Sequence, residues 1–85
     1  MDEQAKMAAM NEWLDEVCDT LKVDRAKLAA VSPQLLGLVA QVAHGPSRPG
    51  GPLTAVAVAL SAEAADDFEA GVNEAIAALQ PLLKR

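Results

Sequence analysis

The chain has 85 residues and a formal net charge of −5, with seven Lys or Arg against twelve Asp or Glu. Its 52% hydrophobic content excludes a disordered chain, although much of it is alanine, which adds helix propensity more than core volume. The basic residues are scattered and the only aromatics are Trp13 and Phe68, which argues against nucleic acid, a partner that needs clustered cations and stacking side chains.

The first periodic stretch holds Met10, Trp13, Leu14, Val17, Cys18 and Leu21 at three- and four-residue spacing. That pattern predicts a helix near 4–22 with these residues facing inward. Asp2 or Asn11 can cap it, and residues 1–9 are expected to extend it or to fray. Glu12, Asp15, Glu16 and Asp19 fall on the opposite face.

Asp24 is the next cap signal, with room for a turn or two behind it and Leu28 and Val31 as inward anchors. Ser32 followed by Pro33 reads as a fresh N-cap and first-turn proline. A second helix is therefore expected over 33–44, with Leu35, Leu36, Val39, Val42 and Ala43 repeating along it. Gly45 and Pro46 should end it. The charge-free run 28–43 is short for a membrane span and is broken by polar residues.

Residues 44–52 read HGPSRPGGP. Three prolines and three glycines in nine positions predict a shaped loop rather than helix or strand. Pro52 restarts a helix whose inward face is expected to be Leu53, Val56, Ala57 and Leu60. A helix apolar on all sides suits a central element, or one face of a dimer. Ser61 is the expected cap of the last helix. Phe68, Val72, Ala75, Ile76 and Leu79 make its stripe, and Pro81 should end or kink it. An unbroken helix over 52–80 would be about 43 Å long, so a turn is expected near Ser61. The fold class that follows is all-α, a compact bundle of about four helices with one Pro/Gly-rich loop in a single domain, 1–85.

Parts for chemistry are sparse. One His and one Cys on different segments do not make a zinc site, and no other metal or cofactor is expected. Cys18 shares the apolar stripe of its helix and reads as a buried thiol. It is the lone cysteine, which fits a reducing cytoplasm, and no secretion signal is visible at the amino terminus. No serine sits in a nucleophile elbow, and no glycine spacing fits a phosphate-cradling loop. Asp15-Glu16 and Asp66-Asp67 are neighbours in sequence, so as helical residues they point about 100° apart and make no ready catalytic pair.

The one concentration of oddities is 44–54. Arg48 lies between two prolines, and the first turn of the helix that follows is expected to offer backbone N–H groups at Gly51, Leu53 and Thr54. With His44, these five residues form a candidate site for a small anion such as a phosphate or nucleotide. The simpler reading has His44 over the carbonyl end of the second helix and Arg48 paired with an acidic side chain of its own chain.

Two segments carry a resemblance: N-E-W-L-D-E-V-C at 11–18 and V-A-H-G-P-S-R-P-G-G-P-L-T at 42–54. They resemble a small uncharacterised actinobacterial family with a W-L-x-x-x-C helix and an A-H-G-x-x-R-P-x-x-P-L-T loop. The matching residues are Trp13, Leu14, Cys18, His44, Gly45, Arg48, Pro49, Pro52, Leu53 and Thr54, within about 10–60. Gly50-Gly51 stands where that pattern has small residues such as alanine. The resemblance implies a domain found alone or joined to a molybdopterin-guanine dinucleotide biosynthesis protein, and it carries over no catalytic residue. Together these readings point away from an enzyme. They favour a noncatalytic helical accessory or protein-interaction module, linked through the resemblance to molybdenum-cofactor biosynthesis. The partner would be another protein or a second copy, with neither membrane nor nucleic acid involved. The alternatives are the small anionic-ligand site and a self-associating structural domain.

Overall fold

Residues 2–85 are described by a computed structural model, and they form four helices with no strand among them. Helix α1 spans Glu3–Leu21, α2 Arg25–His44, α3 Gly50–Ala62 and α4 Phe68–Lys84. The all-α bundle expected from the periodicity is present.

Three starts are set by aspartates. Asp2 accepts from Ala5 N at 2.7 Å, Asp24 from Ala26 N at 2.9 Å, and Asp67 from Ala70 N at 3.2 Å. Each satisfies an N–H that has no partner inside its helix. Helix α1 ends at Lys22, which takes the left-handed conformation at φ 61° and donates to Cys18 O. Val23 N reaches the same carbonyl at 2.9 Å.

The second helix corrects the sequence reading. It does not restart at Ser32-Pro33 but runs unbroken from Arg25, with Pro33 inside it. Proline cannot donate to the carbonyl of Ala29, but both residues are exposed, so water reaches that oxygen. Ser32 is no cap: its hydroxyl donates to Leu28 O at 2.7 Å, within the same helix. A continuous α2 has a different register. Val31, Leu38 and Val42 are buried with Leu35 packed beside them, while Leu36 stands outward.

The last helix differs likewise. Ser61 lies inside α3, the chain turns over 63–67, and Asp67 is the cap. Pro81 neither ends nor caps α4, which continues to Lys84. Its missing N–H faces Ala77, again an exposed residue.

The core is built by α2, α3 and α4. Val31, Leu38 and Val42 meet Val58 and Ala62 of α3 and Val72 of α4. Phe68, Ala75, Ile76 and Leu79 pack on this cluster, as their spacing predicted. Burying each of the four fully enclosed side chains, Val31, Leu38, Val58 and Val72, stabilises the fold by roughly 1.5–3 kcal/mol. Amide bridges add register between α2 and α4: Gln41 and Gln80 exchange hydrogen bonds at 3.1 and 3.3 Å, and Gln34 donates to Asn73 at 3.2 Å.

Two close approaches tighten the body. A Cβ at Gly51 would lie 3.0 Å from Val39 Cγ1 and from Val39 O, so α3 begins almost in contact with α2. At Gly71 a Cβ would lie 2.9 Å from Ala65 Cβ. Small residues are what allow α3 to fold back on α4.

Helix α1 packs on α2 alone. Arg25 fixes the join, its Nε on Asp15 Oδ1 at 2.8 Å and its Nη2 on Asn11 Oδ1 at 3.2 Å. Cys18 is buried there, outside the main core cluster. The resulting outline is flat, 36 × 36 × 18 Å.

Candidate functional site

The loop 44–54 is built by the end of α2 and the start of α3. Gly45 N donates to Val42 O at 3.2 Å and Ser47 N to the same oxygen at 3.1 Å, which closes α2. His44 and Arg48 both reach solvent. Among the described residues neither forms a hydrogen bond or ion pair through its side chain; the one salt bridge joins Arg25 and Asp15. The expected pairing of Arg48 within its own chain is thus absent from the described residues.

The other three candidates are placed differently from one another. Gly51 is buried against Val39, and its N–H donates to Arg48 O at 3.3 Å. Gly50 N is likewise engaged, by Ser47 O and Ser47 Oγ, both at 3.2 Å. The Thr54 hydroxyl donates to Gly50 O at 2.7 Å, inside the helix. Leu53 projects its side chain outward. The structure therefore gathers these residues around one turn but engages the Gly51 amide and the Thr54 proton internally. The Arg48 guanidinium and the His44 imidazole remain exposed at the rim.

A second polar hollow lies where α2 passes the α3–α4 turn. Glu63, Asp66, Asp67 and Glu69 line it together with Lys27 and Phe68. Lys27 Nζ stands 4.9 Å from the Phe68 ring centroid, a cation–π contact. Asp67 is already the α4 cap. Among the described residues no group of three or more His, Cys, Asp or Glu is placed to hold a metal ion.

The surfaces that stand out are apolar, and they overturn two expectations. Trp13 and Leu21, read as inward, are 62% and 65% exposed. They share a shallow hollow along the outer side of α1 with Val17, Glu16 and Thr20. A single helix resting on one neighbour cannot bury a stripe this wide. The inward face of α3 is also reversed. Gly51, Val58 and Ala62 are buried, whereas Leu53, Val56 and Leu60 face solvent. In a helix without charge, periodicity does not say which side is inside; the close approach at Gly51 decides it. Among the described residues α2 alone has the length and apolarity of a membrane span, and Val31, Leu38 and Val42 bury its inner side in the core.

An all-α, four-helix domain with solvent-facing apolar stripes on α1 and α3 is the class these features define. The chain belongs to the family described as a domain of unknown function (DUF6457), which it matches over residues 5–85. That span takes in α4 as well, beyond the stretch that carried the resemblance. No curated protein and no solved structure matches the chain.

Proposed function

We propose that this domain is a noncatalytic protein-interaction module that docks a second protein on the outer side of α1. The observation that carries this reading is the exposure of Trp13 together with Leu21 on one side of a helix whose other side rests on α2. Tryptophan is enriched among residues that anchor interfaces. Acidic residues, among them Glu12, Glu16 and Asp19, flank the stripe. A matching partner would offer an apolar centre with a basic rim. The single, unpaired Cys18 supports a cytoplasmic setting. The resemblance over 11–18 and 42–54 makes a molybdopterin-guanine dinucleotide biosynthesis protein the first partner to try.

The experiment is capture of partners from the native cell with the whole chain and with Trp13→Ala. A discrete protein retained by the first and lost by the second is the expected result. Equal recovery on both, or catalytic turnover by the purified chain alone, would refute the reading. The exposed, unpaired His44 and Arg48 favour one second reading, a small anion held at the loop. An NMR titration with phosphate, nucleotides and pterin phosphates should then shift residues 44–54, and unmoved signals at millimolar ligand would exclude those ligands.

A further inference from the structure

Residues 49–62 carry no charged side chain, yet Leu53, Val56 and Leu60 are 71%, 53% and 65% exposed. With Ala57 they form a stripe at i, i+3, i+4 and i+7, one side of α3. The stripe borders the cleft between α3 and α4, where Leu53 and Ala57 line the walls with Ala75, Ala78 and Leu79. The chain exposes 6029 Å², whereas a compact monomer of 8.8 kDa exposes roughly 4,800 Å². The excess, about 1,200 Å², belongs to the whole flat outline, the exposed side of α1 included, and the α3 stripe is one part of it.

We propose that the occupant of this stripe is a second copy of the chain, held in an antiparallel α3–α3 contact about a two-fold axis between positions 56 and 57. The spacing of the stripe is symmetric and a leucine stands at each end, with Val56 and Ala57 between them. Antiparallel pairing sets Leu53 against the partner's Leu60 and Val56 against the partner's Ala57. Large side chains meet at both ends, and the small alanine lets the axes approach in the middle. Such a contact is isologous and closes at two copies. Charge selects the same helix. Two chains of −5 each repel, and α1, α2 and α4 all carry ionised residues. Of the four helices α3 alone carries no ionisable residue, so it can face its own copy over its whole length without opposing like charges.

This goes beyond the docking side of α1 because it needs no second protein. A strictly monomeric chain would refute it and leave the α1 reading untouched. The test is sedimentation equilibrium of the full chain from micromolar to millimolar concentration. The expected mass is twice 8.8 kDa, and Val56→Glu should weaken association by roughly 30-fold or more with an unchanged helical spectrum. A cross-link checks the register. In a Cys18→Ala background, Leu53→Cys combined with Leu60→Cys should give disulfide-linked dimers on mild oxidation. Leu53→Cys alone should not, because an antiparallel pair holds the two positions about 10 Å apart along the helix axis. A monomer at millimolar concentration, a dimer indifferent to Val56→Glu, or linkage through Leu53→Cys alone as fast as through the pair would each overturn the proposal.

Discussion

Adding one methyl group at Gly71 probes the closest approach made at any glycine of the chain. An alanine Cβ there would lie 2.9 Å from Ala65 Cβ, 3.1 Å from Ala62 Cβ and 3.3 Å from Ala62 Cα. None of these is the tip of a flexible side chain, so the end of α3 must move. Ala62 is part of the buried cluster with Val72, and the displacement runs into the core. Overpacking of this kind costs about 1–3 kcal/mol, and so close a contact belongs at the upper end. The helix preference of alanine over glycine offsets about 1 kcal/mol. A net loss of about 1–2 kcal/mol remains. Gly37 is the internal control. It is exposed in the middle of α2, and a Cβ would meet nothing within 4 Å. Gly37→Ala should therefore gain about 1 kcal/mol from helix propensity alone. The same chemical change at two glycines thus carries opposite signs. Urea denaturation followed by far-UV circular dichroism measures both, and each kcal/mol corresponds to about 4–8 °C in Tm for a domain of this size. A neutral or stabilising Gly71→Ala would refute the close fold-back of α4 on α3. A destabilising Gly37→Ala would refute an unbroken α2.

Four further substitutions test other parts of the structure. Pro33→Ala restores a donor for Ala29 O and should raise stability by about 2 kcal/mol, measured by the same denaturation. Trp13→Ala should change stability by about 0.5 kcal/mol or less, where a core tryptophan would lose about 3–5 kcal/mol. Asp67→Ala removes the acceptor for Ala70 N and should cost about 1 kcal/mol. Lys22→Gly relieves the left-handed backbone that ends α1 and should gain about 1 kcal/mol, read as increased helicity of the first segment by NMR.

Much of the fold was legible because aspartate caps and apolar spacing act locally. Asp2 and Asp24, and the stripe from Phe68 to Leu79, needed nothing beyond their own segments. The prolines misled for an equally local reason. Ser32-Pro33 has the form of a helix start, and Pro81 that of a helix end. Each is tolerated because the carbonyl left without a donor lies on the wet side, and the side a residue faces is settled only once neighbouring helices are placed. Helix α3 shows the same limit more sharply. Its apolar residues fill every direction, so pattern could not choose between the side of Leu53 and Leu60 and the side of Gly51, Val58 and Ala62. The choice came from how closely α2 and α4 can approach a side made of small residues. The loop 44–54 announced itself by composition. The engagement of the Gly51 and Thr54 donors did not, because it depends on Ser47, Arg48 and Gly50 closing the turn around them.

The way α1 is held has a spectroscopic consequence. It hangs from the Lys22 joint and touches α2 only, whereas the main cluster draws no residue from it. Heating should therefore release α1 before the other three helices melt. Trp13, the one tryptophan, rides on the part that lets go first. It already faces solvent on the side away from α2, so its fluorescence reports the unwinding of α1 itself and is blind to the valine core.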